Sequence, residues 1–173
     1  ISIDDNFMIK VEQKVINKTN NKIKLYPYGL IRRSGEPVTT DFFVLHEGPL
    51  GVFDGSLTEK SYADLKESGK RGLTFTPEKL GGWIGITDKY WMAALVPDQS
   101  KKSKFTYRYI NSNRSYQTDY LGQLSVIPAN SESIVTSRVF SGAKKLNLLD
   151  SYENDLKIEH FDLAIDFGWF YFL

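Results

Sequence analysis

The closing stretch of the chain, residues 161–173, constrains its fold more than any other. Phe161, Leu163, Ile165 and Phe167 alternate with Asp162, Ala164 and Asp166. A period of two marks a strand with one buried face. Residues 161–167 are therefore expected as the final strand or extended segment, with Leu163, Ile165 and Phe167 inward. At Gly168 the alternation stops. Trp169, Phe170, Tyr171, Phe172 and Leu173 are apolar on every side. A soluble domain has nothing to cover such a run, so the natural chain is expected to continue into something apolar, a membrane above all. Aromatic rings with one wet tip suit the membrane–water boundary. Phe167, Gly168, Trp169, Phe170, Tyr171 and Phe172 are thus the expected membrane-proximal surface, with 168–173 leading towards an interfacial helix.

The same period recurs upstream. Residues 7–15 read as a strand with one wet face, 17–22 as a turn and 23–31 as its return strand. Pro27 cannot donate to a ladder, which places it at an edge or a bulge. Phe42 to Leu45 read as a short buried strand, followed by a Gly48-Pro49 turn and a strand at 50–53. Ser56 with Glu59 forms the pattern of a capping box. Leu57, Tyr62 and Leu65 would then make a helical stripe that Gly69 ends. Residues 81–97 give two strands turning near Asp88. Small Gly85, Ala93 and Ala94 leave room there for Trp83 and Trp91. Four more strands are expected at 104–111, 115–120, 123–127 and 133–140, and a second helix at 143–152. The expected architecture is one all-β domain over 1–173, mainly antiparallel, with two packed sheets and two short helices. Trp83, Trp91, Ile84, Ile86, Leu95 and Val44 should fill the space between the sheets.

Chemistry is thinly represented. A formal net charge of +1 provides no field for nucleic acid, and with 0 Cys there are neither disulfides nor thiolate metal sites. No internal run reaches the ~18 apolar residues of a spanning helix. The start carries no basic and apolar signal, and both ends read as fragment boundaries. The histidines are His46, beside Glu47, and His160, beside Glu159. Neighbours on a strand point to opposite faces, so neither pair can work as acid and base. His160 and Asp162 share a face, but two ligands are too few for a metal. Asp162 and Asp166 read as a solvated strand face. Tyr107-Arg108-Tyr109 reads as cross-strand aromatic packing. Asn17-Lys18-Thr19 and Asn113-Arg114-Ser115 match the glycosylation triplet, which chance often supplies. Catalytic, cofactor-binding and metal residues are all expected to be absent.

Several stretches carry a family resemblance. Gly81-Gly82-Trp83-Ile84-Gly85-Ile86-Thr87-Asp88-Lys89-Tyr90-Trp91 and Leu95-Val96-Pro97-Asp98 resemble motifs of the periplasmic domain of YidC-type bacterial membrane protein insertases. So do Tyr26-Pro27-Tyr28-Gly29-Leu30-Ile31, Phe43 to Gly48, Phe140-Ser141-Gly142-Ala143-Lys144, Leu148 to Tyr152 and Phe161 to Phe170. The resemblance covers nearly the whole chain. It implies a β-supersandwich similar to galactose mutarotases, of which this chain would be the C-terminal portion, with several strands preceding Ile1. It implies a periplasmic domain of an inner-membrane protein in an outer-membrane-bearing bacterium, without cofactor or catalysis. The partners it implies are Sec translocon components, nascent inner-membrane proteins and the membrane at the C-terminal end.

An exported mutarotase-like enzyme or sugar binder is the alternative, and a peptide-holding chaperone module is a third reading. An enzyme would need a His and a carboxylate in one cleft, and a peptide holder an apolar groove or an open sheet edge. Sheet edges left open would also pair two copies in a weak homodimer.

Overall fold

The computed structural model describes residues 1–35 and 46–165. In chain order its strands are β1 (Ser2–Ile3), β2 (Met8–Asn17), β3 (Ile23–Leu25), β4 (Tyr28–Ser34), β5 (Gly48–Phe53) and β6 (Ser56–Glu59). Helix α1 (Tyr62–Glu67) follows, then β7 (Leu73–Phe75), β8 (Trp83–Thr87), β9 (Trp91–Val96), β10 (Ser103–Ile110), β11 (Ser115–Gly122), β12 (Ser125–Ile127) and β13 (Ser131–Ala143). Helix α2 (Leu146–Leu156) comes after them. Seven strands form one sheet in the order β1-β2-β13-β9-β8-β5-β6, four form a second as β4-β11-β10-β7, and β12 and β3 make a separate ribbon. Every pairing is antiparallel. The fold is the all-β sandwich that the alternation implied.

The two larger sheets pack on each other as expected, and helix α2 adds a further layer. One face of the seven-stranded sheet packs on the four-stranded sheet. Phe53, Ile84, Ile86, Leu95, Phe105, Tyr107 and Tyr116 meet there. The other face lies under α2 and the segment after it, where Met8, Val52, Trp83, Met92 and Phe140 meet Leu149, Tyr152, Ile158 and Phe161. Strand β8 is buried along its whole length because both of its faces are covered. Gly85 lies on it, and a Cβ there would come within 2.5 Å of the Ala93 carbonyl oxygen. Gly82, just before the strand, has φ of +88°, and a Cβ would stand 2.6 Å from the Val52 oxygen. Both facts require glycine.

Ile84, Ile86 and Leu95 lie between the sheets as expected. Trp83 is fully buried but on the helix-covered face, and Trp91 is 61% exposed. Trp91 stands at the first residue of β9, so its side chain passes the rim of the sandwich instead of entering it. Val44, with the strand expected at 42–45, lies outside the described residues.

Other expectations are corrected by local turn chemistry. Asp54 and Gly55 both have positive φ, and Phe53 pairs with Ser56. This two-residue hairpin turn holds 56–59 as strand β6. The capping box lies five residues further on. The Asp64 amide donates to Ser61 Oγ at 3.1 Å, and the Ser61 amide donates to Asp64 Oδ2 at 2.9 Å. Tyr62 and Leu65 are the buried stripe of α1. Gly48 and Pro49 are strand residues, not a turn. Residues 23–31 divide at Pro27 into β3, which pairs with β12, and β4, which pairs with β11, so 7–15 and 23–31 are not a hairpin. Asn17 is a buried bracket and no glycan acceptor: its Nδ2 donates to the carbonyls of Asn21, Ile127 and Pro128.

The final strand is not formed within the described residues. Asp162–Ala164 wind into a 3-10 turn in which the Ile165 amide donates to the Asp162 oxygen at 3.0 Å. Such a turn brings residues three apart to one side. Phe161 and Ala164 are therefore buried together, while Leu163 and Ile165 are half-buried against the same core.

Candidate functional site

The expected membrane-proximal residues Phe167, Gly168, Trp169, Phe170, Tyr171 and Phe172 lie outside the described residues, as does Asp166. Among the described residues, polar side chains converge at the end of α2 and on the outer face of the four-stranded sheet.

The first is at the end of α2. Positive φ at Lys157 and His160 turns the chain back on the helix. Glu153, His160 and Asp162 are thereby brought together, with their ligand atoms all within 4.8 Å of one another. His160 Nδ1 stands 3.8 Å from Glu153 Oε1, and the Asp162 amide donates to Glu153 Oε2 at 3.4 Å. Burial, and then the hydrogen bond shared with Asp162, raise the Glu153 carboxyl above its ordinary value of 4.5. The neighbouring carboxyl disfavours a negative charge on Glu153. Glu159 and His160 lie in a turn and not on a strand, so strand parity does not apply to them, and the spacing could not foresee Glu153, which the helix returns from seven residues away. His46 serves the backbone, with Nε2 3.1 Å from the Pro49 oxygen.

The second is the outer face of the four-stranded sheet. The register places Arg32, Gln117 and Arg108 in one cross-strand row, and Leu30, Asp119 and Thr106 in the next. Gln117 and Asp119 point away from the core yet are only 4% and 3% exposed. The long side chains of β4 and β10 lie across them. Arg32 Nε and Nη2 donate to Gln117 Oε1 at 3.2 and 2.6 Å. Gln117 Nε2 donates to Asp119 Oδ2 at 2.7 Å and to the Tyr28 hydroxyl at 3.2 Å. Arg108 Nη2 is within 3.2 Å of both Asp119 oxygens. Burial, and then the nearby Asp119 charge, raise the Tyr28 phenol. Above this floor is an open groove of about 580 Å³ that Tyr28, Leu30, Lys70 and Ile110 help to wall.

The groove was not foreseen from the sequence. Its signal was alternation within 115–119, where Ser115, Gln117 and Asp119 recur on the face opposite the buried Tyr116 and Thr118. Tyr107 and Tyr109, read as packing residues, do pack: Tyr107 is buried in the sandwich, and the Tyr109 ring centroid is 5.0 Å from that of Tyr116. Neither histidine lines the groove. Among the described residues no helix is long and apolar enough to cross a membrane.

Comparison with known proteins is consistent along the chain. A family model described as the YidC periplasmic domain matches residues 1–173. A protein of Rickettsia felis named membrane protein insertase YidC is 40% identical over 175 residues, which cover 100% of this chain and 31% of that protein. Proteins of the same name from Rickettsia akari and Methylorubrum extorquens are each 41% identical, over 175 and 181 residues. They are covered to 31% and 29% of their length, so the chain spans about a third of these relatives.

Proposed function

The chain belongs to the YidC periplasmic domain family, and on that premise we propose that it is the periplasmic, non-catalytic part of a membrane protein insertase. The family match over residues 1–173 carries this reading. In it the domain is an interaction and scaffolding module beside an inner membrane, in a bacterium that also has an outer membrane. It supports the insertion and folding of nascent inner-membrane proteins and touches components of the Sec translocon. The three-layer packing suits such a role, because a sheet covered on both faces makes a stiff body whose outer surfaces are free for contacts. The run from Phe167 to Phe172 meets the membrane boundary and sets the height of the domain above it.

The test uses the intact insertase carrying Trp169→Asp with Phe172→Asp. Insertion of an inner-membrane reporter should fall, while the melting temperature of the domain stays nearly unchanged. Trp169 emission in the isolated chain should shift to the blue on adding lipid vesicles. Unfolding by the double substitution, together with silent vesicles, would return the segment to the domain core and remove the membrane contact from the reading.

A further inference from the structure

The outer face of the four-stranded sheet is charged quite differently from the chain as a whole. The formal net charge of the chain is +1. On this face Arg32, Arg108 and Lys104 project from the strands and Lys70 lines the groove, and among the described strand residues the one carboxylate facing them is that of Asp119. That carboxylate is spent: both oxygens face Arg108, and one also accepts from Gln117. Arg32 is held by a neutral oxygen, so its charge is uncompensated within the network. Beside the cations runs an apolar strip of Tyr28, Leu30 and Leu121, all substantially exposed.

We propose that this groove binds extended, acidic polypeptide segments that have crossed to the periplasmic side. The statement rests on the insertase reading above and names the class of segment the domain would receive. Its physical basis is charge complementarity. Loops that stay in the cytoplasm carry an excess of Lys and Arg. Translocated loops are correspondingly poorer in cations, so fewer of their carboxylates have a cation nearby in the same segment. Arg32, held in place by Gln117, offers a fixed donor for such carboxylates, with Lys70 beside it. The apolar strip receives the residues between them. The volume of about 580 Å³ suits several side chains, not a whole folded partner. A sugar would need acceptors on the floor, and the Asp119 oxygens are already occupied. A nucleic acid would need a long cationic track, which the net charge of +1 does not supply.

The experiment is a fluorescence anisotropy titration of the 173-residue chain with two labelled peptides. In one, Glu recurs at every other position among Ser and Val; in the other, Lys replaces Glu. The Glu peptide should bind, more weakly at higher salt, and the Lys peptide should not. Arg32→Glu with Lys70→Glu should weaken the Glu peptide by about tenfold or more and confer binding of the Lys peptide. Both positions are chosen because neither is paired with the buried carboxylate, and an unchanged melting curve confirms the fold. Equal binding of the Glu peptide to chain and variant, or no binding at all, would overturn the proposal. So would tighter binding to vesicles of an anionic phospholipid that compete the peptide away. Absence of peptide binding by the unaltered chain, with the vesicle and insertion results as expected, would sink the groove alone. Peptide binding that persists where the domain proves dispensable for insertion would sink the insertase reading and leave the groove.

Discussion

The two faces of the seven-stranded sheet solve the same burial problem with different side chains. Facing the four-stranded sheet, the core is chiefly aromatic, with Phe53 stacked on Phe75 at 4.8 Å and Phe105 at the same distance. Facing α2, the core mixes aliphatic residues with a few rings set edge to face, such as Trp83 against Phe161 at 5.3 Å. The polar tips differ more than the rings do. On the helix-covered face they reach the rim and are answered: Trp83 Nε1 donates to the Glu159 oxygen at 3.1 Å, and the Tyr152 hydroxyl donates to Asp4 Oδ2 at 2.8 Å. Between the sheets, the Tyr107 hydroxyl is buried with no hydrogen-bond partner among the described residues. The difference is geometric. A helix and a loop can bring backbone carbonyls down onto a ring, whereas two facing sheets keep their backbone groups in their own ladders. Tyrosine between sheets therefore carries a desolvation cost that tryptophan under the helix avoids.

Four substitutions break or sharpen this comparison. The largest effect is expected at Trp83→Ala, which empties a fully buried site and strands the Glu159 oxygen. It should cost about 3–5 kcal/mol in chemical denaturation. A cost near that of a surface change would mean that the helix layer contributes little. Next, Tyr107→Phe should stabilise the chain by about 1 kcal/mol, since it removes an unanswered hydroxyl and keeps the ring. Calorimetry should register a rise of about 2–4 °C, and a fall would show that the hydroxyl has a partner. Third, Trp91→Ser should cost less than about 1 kcal/mol, because the ring is mostly in water. A loss comparable to that at Trp83 would place Trp91 in a packed core.

The smallest effect concerns Glu153. Its carboxyl is raised in the folded state, so the folded chain holds this proton more tightly than the unfolded one. The stabilisation it contributes is complete below the ordinary value of 4.5 and is lost as pH rises through the raised value. Glu153→Gln should remove that decline, and at neutral pH the variant should be slightly the more stable, by less than about 1 kcal/mol. Melting curves taken across the acid range decide it. Parallel pH profiles for both proteins would mean that the Glu153 carboxyl is not raised in the folded chain.

What could be read from the residues alone was whatever depends on short-range pattern. Alternation located the strands of 103–143 and of 83–96, because side chains of a strand must alternate between two environments. Spacing placed α2 within a few residues, and motif similarity located the family. Tertiary structure alone decided which face each strand turns to which layer. Trp83 and Ile84 are adjacent and equally buried, yet they belong to different cores, and no local pattern distinguishes two apolar faces. Depth was equally hidden: Trp91 has the right parity for the sandwich but stands at the rim, a matter of where the second sheet ends. The cross-strand row of Arg32, Gln117 and Arg108 and the convergence of Glu153 with His160 depend on strand register and on a helix return. Register and return are set by the sum of distant contacts, so a single stretch of sequence does not contain them.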